Sequence, residues 1–175
     1  IYAEEIKRIM EGNKDAKITI ITYESLTCSH CADFHKNVYP ELKKEYIDTD
    51  LVKIEFRHFP LDIQAFNASK VSQCRNDGQS IILHSLFANQ QKWVKGSTIE
   101  KANENLQKFL DNEGFNIDLE KCTNNKEIED FVLNDRIDGV KKFKINATPT
   151  IIINNEKFEK PLNFKNLKKA LEKLI

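Results

Sequence analysis

The sequence predicts an α/β fold in which a helical segment interrupts a strand-helix-strand series before it finishes as strand-strand-helix. Three observations predict it. The run "KITIITY" (Lys17 to Tyr23) is apolar and β-branched, as a strand buried on both faces should be, and helical periodicity follows it directly. A second strand-like run, "VKIEFRHFP" (Val52 to Pro60), is separated from the next one, "TIIIN" (Thr150 to Asn154), by about 90 residues. A plain crossover needs only ~30 residues, so the stretch between them is an insertion. Its apolar residues recur at helical spacing throughout. Residues 1–62 and 140–175 are therefore assigned to an α/β domain and residues 63–139 to a helical domain inserted into it.

Taken in order, Glu4 to Glu11 reads as a short helix before the first strand. After that strand, apolar residues recur at Cys31, Phe34, Val38, Leu42 and Tyr46. Pro40 falls inside this pattern and predicts a kink, with the apolar face continuing beyond it. Cys28 then stands at a helix N-terminus and Cys31 about one turn in. In the insert, Ile63, Phe66, Val71 and Cys74 mark one helix, and Ile82, Leu86 and Trp93 a second. Ile99, Ala102, Leu106, Phe109 and Leu110 mark a third, opened by Ser97 and closed near Gly114. Ile128, Phe131, Val132, Val140 and Phe143 mark one or two more. Asn154-Asn155 can adopt positive φ, which predicts a tight hairpin to a short strand around Lys157-Phe158. Asn163 is the expected cap of a last helix with Phe164, Leu167, Leu171 and Leu174 inside.

Composition excludes some functions. Acidic and basic residues balance at 27 each among 175 residues, so there is no bulk attraction to nucleic acid or to an anionic membrane. No apolar run approaches 18 residues, so no spanning helix is expected. The N-terminal "IYAEEIKRIMEG" is charged and does not read as a signal peptide, which leaves a cytosolic protein or a mature exported one.

The stretch "SLTCSHCADF" (Ser25 to Phe34) holds two of the four cysteines. Cys-x2-Cys supplies two ligands of a zinc site, but no second close pair exists to complete it. His30 and His35 keep that alternative open, and a bland pair of packed thiols is another. A redox couple has the fuller mechanism. Unpaired amides and the helix dipole would stabilise a thiolate at Cys28, and His30 would stabilise it further. Cys31, deeper and shielded, would resolve the mixed disulfide. Far downstream, Thr148-Pro149 stands immediately before a core strand. A cis peptide there would present Thr148 backbone groups to an extended substrate beside the sulfurs. Cys74 and Cys122 read as two buried thiols or as a structural disulfide within the insert. His35 is expected to face solvent, and His58 and His84 to be structural.

These segments resemble the DsbA-like thiol:disulfide oxidoreductases of the bacterial envelope, members of the thioredoxin superfamily. "GNKDAKITIITYESLTCSHCADFH" is similar to that family's strand and CxxC region, "FRHFPLD" to its next strand exit, and "INATPTIIINNEKF" to its cis-proline segment and hairpin. The resemblance covers nearly the whole chain. It implies a thioredoxin fold with an inserted helical domain, and no cofactor beyond a redox-active Cys28–Cys31 disulfide. It implies oxidation of cysteine pairs in exported, reduced and unfolded proteins in the periplasm, by a monomer reoxidised by a DsbB-type membrane oxidase. Cys28, Cys31 and His30 take the catalytic positions, with Thr148 and Pro149 binding substrate. A second disulfide in some relatives implies the Cys74–Cys122 bridge.

Two positions depart from the family. Ser29-His30 replaces its familiar Pro-His dipeptide. Thr22 stands where relatives often bury a carboxylate, six residues before the first cysteine. Glu24, two residues on, shares a strand face with Thr22 and is the candidate to handle the proton of Cys31. A solvated residue past the strand end is the alternative for Glu24. A reductase or isomerase on the same fold, a metal-binding module and a glutathione-conjugating relative are the competing functions.

Overall fold

The computed structural model describes residues 3–175. Its sheet has five strands: β1 (Met10–Glu11), β2 (Ile18–Glu24), β3 (Val52–His58), β4 (Thr150–Ile153) and β5 (Glu156–Lys157). They lie in the order β1-β3-β2-β4-β5. β2 runs parallel to β3 and antiparallel to β4, so the strand that leads into Cys28 is central. Asn154 and Asn155, at φ of 45° and 70°, turn β4 into β5 as the Asn pair predicts.

Between β2 and β3, α1 (Ser29–Asn37) is followed by the short α2 (Tyr39–Leu42), with Pro40 in its first turn, and then by a wider turn over Lys43–Ile47. Between β3 and β4 come α3 (Ile63–Gln73), α4 (Ile81–Ala88), α5 (Gln90–Trp93), α6 (Ile99–Asn112), α7 (Leu119–Thr123) and α8 (Lys126–Phe143). The last helix, α9 (Phe164–Glu172), is capped by Asn163, which accepts from the Asn166 amide at 2.8 Å.

Alternation along β2 sorts its side chains onto two layers. Ile18 and Ile20 face the larger core, with Cys31, Phe34 and Leu42. Ile21 and Tyr23 face a smaller one, with Phe59, Ile145 and Ile152. α8 closes over that second face at Gly139, where a Cβ would lie 2.8 Å from the Tyr23 ring. Only glycine allows so close an approach.

Several elements differ from their sequence pattern. Glu4 to Glu11 is not a helix. From Glu4 to Ile9 the chain has no regular structure, and Met10–Glu11 adds an edge strand beside β3. Tertiary partners take the backbone groups a helix would have paired. The Phe56 amide donates to Ile9 O at 3.0 Å, the Gln73 side chain to Lys7 O at 2.9 Å and the Asn76 side chain to Glu5 O at 2.8 Å. Arg8 binds buried Asp135 through two nitrogens, at 2.5 and 2.6 Å. The second insert helix is two, α4 and α5. α6 is capped by Thr98, not Ser97, through a 3.2 Å bond from the Lys101 amide. Ile63, Val140 and Leu174 are exposed, at 59%, 48% and 47%. The inner faces run through Ala65, Ala68 and Val71 on α3, and through Ile128, Val132, Asp135 and Gly139 on α8.

The Arg8–Asp135 pair carries a prediction. Asp135 is 6% exposed in its side chain and also accepts the His58 amide, so removing Arg8 leaves a carboxylate buried with one donor. Arg8→Ala should lower unfolding free energy by about 3 kcal/mol in urea titration. Adding Asp135→Asn should recover most of the loss.

Candidate active site

β2 ends at Glu24, and a short turn carries the chain into α1. The Cys28 amide donates to Ser25 O at 3.0 Å, and the Gln90 side chain donates to the carbonyls of Leu26 and Cys28 at 2.8 and 3.0 Å. Cys28 is itself the N-cap of α1, in extended backbone, and its side chain makes no capping bond. The first-turn amides therefore remain open toward its sulfur, at the positive end of the helix. Cys31 is 0% exposed and packs in the larger core. Both cysteines are free thiols.

The two sulfurs are opposite in character. Cys28 is held down to about 5. The largest cause is the hydrogen bond from the Cys31 thiol; partial burial opposes it, and Thr148 and the amides of Cys31 and His30 assist. Cys31 is pushed far up, chiefly by burial, then by its bond to Cys28 and by the negative charge of Glu24. As a thiol, Cys28 donates to the Thr148 carbonyl at 3.6 Å. A thiolate has no proton to give, so the part of Thr148 in holding Cys28 down falls to its hydroxyl, the one donor of that side chain. That hydroxyl is buried and has no hydrogen-bond partner among the described residues, which leaves its proton available to the sulfur. The Thr148–Pro149 peptide is cis.

His30 contributes differently from expectation. Its side chain is exposed, and the group acting on Cys28 is its backbone amide. His35 also departs. It does not face solvent: its side chain is 6% exposed and its Nε2 lies 2.6 Å from Glu24 Oε2. Position i+4 from Cys31 turns it to the inner face of α1.

Glu24 is the last residue of β2 and is 5% exposed, so it is not a solvated residue past the strand end. With Thr22 it points to the Cys31 side of the sheet. Glu24 Oε1 and Thr22 Oγ1 are buried without a hydrogen-bond partner among the described residues. Sequence reasoning missed the side chains beyond them. His35 Nδ1 lies 3.1 Å from His84 Nδ1, and His84 Nε2 lies 3.0 Å from Glu11 Oε1. The available signal was the four-residue step from Cys31 to His35; nothing local points to His84 or Glu11.

Cys74 and Cys122 form a disulfide that joins the end of α3 to α7. No group of three or more His, Cys, Asp or Glu side chains among the described residues is placed to hold a metal ion. A groove of about 480 Å³ beside the cysteines is lined by His30, Asp33, Phe34, Thr148, Pro149 and Phe164, among others. A larger one, about 670 Å³, lies between the β4–β5 hairpin and α9 and includes neither cysteine. No described helix is long and apolar enough to cross a membrane.

A thioredoxin family model matches residues 4–173. Alpha-DsbA1 of Wolbachia pipientis superposes with a TM-score of 0.84 at 30% identity, over 95% of this chain and 90% of that one. A putative protein-disulfide oxidoreductase of Rickettsia bellii is 32% identical over 94% of this chain and 63% of its own length. A probable disulfide bond formation protein D of Bacillus anthracis is 28% identical over 93% of this chain and 76% of its own. The chain spans 60–63% of the length of the first three curated relatives, all from Rickettsia.

Two outcomes are expected of Cys28. Thr148→Val removes a donor, so the thiolate titration, followed by ultraviolet absorbance, should move upward from a midpoint of about 5. The depressed folded value also fixes a sign. Between about 5 and the ordinary 9.0 the unfolded chain holds a proton that the folded one has released, so stability rises with pH. Relative to Cys28→Ser, the reduced protein should gain stability as pH rises through that window, and lose the gain as pH falls through about 5.

Proposed function

The chain belongs to the thioredoxin family, in its DsbA-like branch, and from that premise we propose that it oxidises pairs of cysteines in other proteins. The observation that carries this reading is the division of labour in one pair: Cys28 a half-buried thiolate at a helix N-cap, Cys31 a thiol with no solvent beside it. A thiolate of pKa about 5 is a good leaving group, and stabilising it makes the disulfide more oxidising.

A substrate thiolate attacks Cys28 Sγ of the Cys28–Cys31 disulfide. The S–S bond breaks, its electron pair stays on Cys31, and Cys31 takes a proton from Glu24. The second substrate thiolate attacks the mixed disulfide and releases Cys28 as a thiolate. The substrate dithiol loses two electrons and two protons. One of these protons reloads Glu24 in place of the one given to Cys31, and the other goes to solvent.

The groove between α1 and the Thr148-Pro149 segment suits an extended substrate, with Thr148 and Pro149 forming its floor. The exposed side chain of His30 stands at its rim. The burial of Glu24, its unpartnered oxygen and its charge on Cys31 support its part in proton handling, with Thr22 beside it on the same face. We read residues 1–62 and 140–175 as the catalytic domain and 63–139 as the inserted one, although α8 runs unbroken through position 139. Reoxidation by a DsbB-type membrane oxidase, a periplasmic setting and a monomeric state complete the proposal.

A peptide carrying two reduced cysteines provides the test. The oxidised protein should convert it to the cyclic disulfide, Cys28→Ser should abolish this, and Cys31→Ser should trap a mixed disulfide at Cys28. Equilibration with glutathione buffers should give a potential more oxidising than the cytosolic poise of roughly −220 to −320 mV. A value inside that range would favour a reductase and overturn the oxidase reading.

A further inference from the structure

We propose that His35, His84 and Glu11 form a proton wire that reloads and empties Glu24, connecting the buried Cys31 to solvent at the far side of α1. The inference deepens the oxidoreductase reading, since it concerns the same cysteine pair.

Four titratable groups from four elements stand in one line. Glu24 ends β2, His35 lies on α1, His84 on α4 and Glu11 on β1. The links are Glu24 Oε2 to His35 Nε2 at 2.6 Å, His35 Nδ1 to His84 Nδ1 at 3.1 Å, and His84 Nε2 to Glu11 Oε1 at 3.0 Å. Each link is a hydrogen bond only if it holds a proton. Two neutral imidazoles supply two protons for three links. The third is therefore extra, carried at one end as a carboxylic acid or on a ring as imidazolium.

With the extra proton on Glu24, the line reads Glu24 O–H to His35, His35 N–H to His84 and His84 N–H to Glu11. Shifting each proton one place reverses every bond and leaves the acid at Glu11. The two end states have the same number of hydrogen bonds. No side chain has to move between them. Two imidazolium rings are excluded, because two N–H groups would then face each other across 3.1 Å.

The line also runs from dry to wet. Side-chain exposure is 4% at Glu24 and 6% at His35, then 27% at His84 and 17% at Glu11. His35, Tyr39, His84 and Phe87 line a groove of about 660 Å³ open to solvent, where protons enter and leave. The rings are held in place: His35 stacks on Phe87 with centroids 4.1 Å apart at 16°. At the wet end, Tyr39 and Ser80 donate to Glu11, and Lys43 adds a positive charge nearby. At the dry end, β3 sets buried His58 beside Glu24 in register, bonded to Gln73. Burial raises Glu11, but His84, Ser80 and Lys43 outweigh it and hold Glu11 below the ordinary carboxylate range, which favours proton release there.

The emptying of Glu24 through the wire stands alone in one chemical step. When glutathione disulfide oxidises the reduced protein, the Cys28 thiolate attacks first, expels one glutathione thiolate and forms a mixed disulfide. This needs no proton from Cys31. Cys31 must then give its proton to Glu24 before it attacks Cys28 and expels the second glutathione. Two electrons pass to glutathione disulfide, and the Cys31 proton leaves through His35, His84 and Glu11.

The test is acid-quenched single-turnover oxidation by glutathione disulfide, resolved by mass, in the wild-type protein, His84→Gln and His84→Ala. Glutamine keeps hydrogen bonds but relays no proton, which covers the case in which the alanine variant folds poorly. The first step should be unchanged in His84→Gln. The second should slow by roughly tenfold to a hundredfold, within the usual contribution of general acid–base groups, so that mixed disulfide accumulates. Added imidazole should restore the second step in His84→Ala. An unchanged second step in His84→Gln, equal slowing of both steps, or no rescue by imidazole in a His84→Ala protein whose first step runs at the wild-type rate would overturn the wire. Because glutathione is the only reactant, the outcome does not depend on peptide oxidation; a protein that oxidises no peptide would sink the oxidase reading alone.

Discussion

Cys31 is a thiol sealed in a core, and its proton must still come and go. That constraint shapes the surroundings of the pair. Burial makes the Cys31 thiolate costly, so its thiol keeps its proton and donates it to Cys28, which is why Cys28 can rest as a thiolate. Burial also shields Cys31 from outside nucleophiles, which leaves Cys28 as the accessible sulfur. In the proposed cycle that burial calls for an acid able to serve the sulfur. Glu24, closed off at the end of the central strand and adding negative charge near Cys31, is the group we assign to that part.

The sheet makes this arrangement possible through the position of β2. It pairs with β3 on one side and β4 on the other, so its C-terminal end meets the exit of β3 and the entry of β4 at once. Cys28 rises from the first and Thr148 precedes the last. The helices between β3 and β4 then pack back against α1, which brings His84 to His35. The disulfide between Cys74 and Cys122 ties two of those helices together. It closes a loop of about 50 residues and contributes ~4 kcal/mol in the chain-entropy account.

Much of this frame is legible in the residues, for identifiable reasons. β-branched runs, Asn-Asn and the Asn163 cap act over a few positions, and their outcomes are local. CxxC after a strand places one sulfur at a helix end and the other a turn inside. What escapes reading has partners far along the chain. The segment before β1 is charged and helix-like, yet its groups bind Asn76, Gln73 and Asp135, from 66 to 127 positions away. Those contacts override local propensity. His35 looks like a surface residue because helix periodicity alone does not reveal that α4 covers that flank. Ile63 and Val140 mislead in the opposite way: each fits an apolar period, but small residues beside them form the faces that pack.

Glu24, which we propose takes the part of the carboxylate that the family resemblance leads one to expect at Thr22, stands in different surroundings from position 22. Position 22 lies within the strand, between Phe56 and Ile151 of its neighbours. An acid there would be enclosed by apolar ladder partners. Position 24 is at the strand's end, beside His58 and across from the second turn of α1, where His35 reaches it. The move costs nothing in strand face, because both residues point toward Cys31. At position 24 the acid is linked to an imidazole, that of His35. Threonine at 22 keeps a small polar group in the space, and Ser29 in place of proline leaves an amide in the first turn of α1. A thiolate stabilised by amides and by Thr148 depends less on an imidazole at His30, whose side chain is directed to solvent. In the proposed wire, the histidines that serve the buried sulfur are His35 and His84 behind it, while the side chain of His30 is exposed.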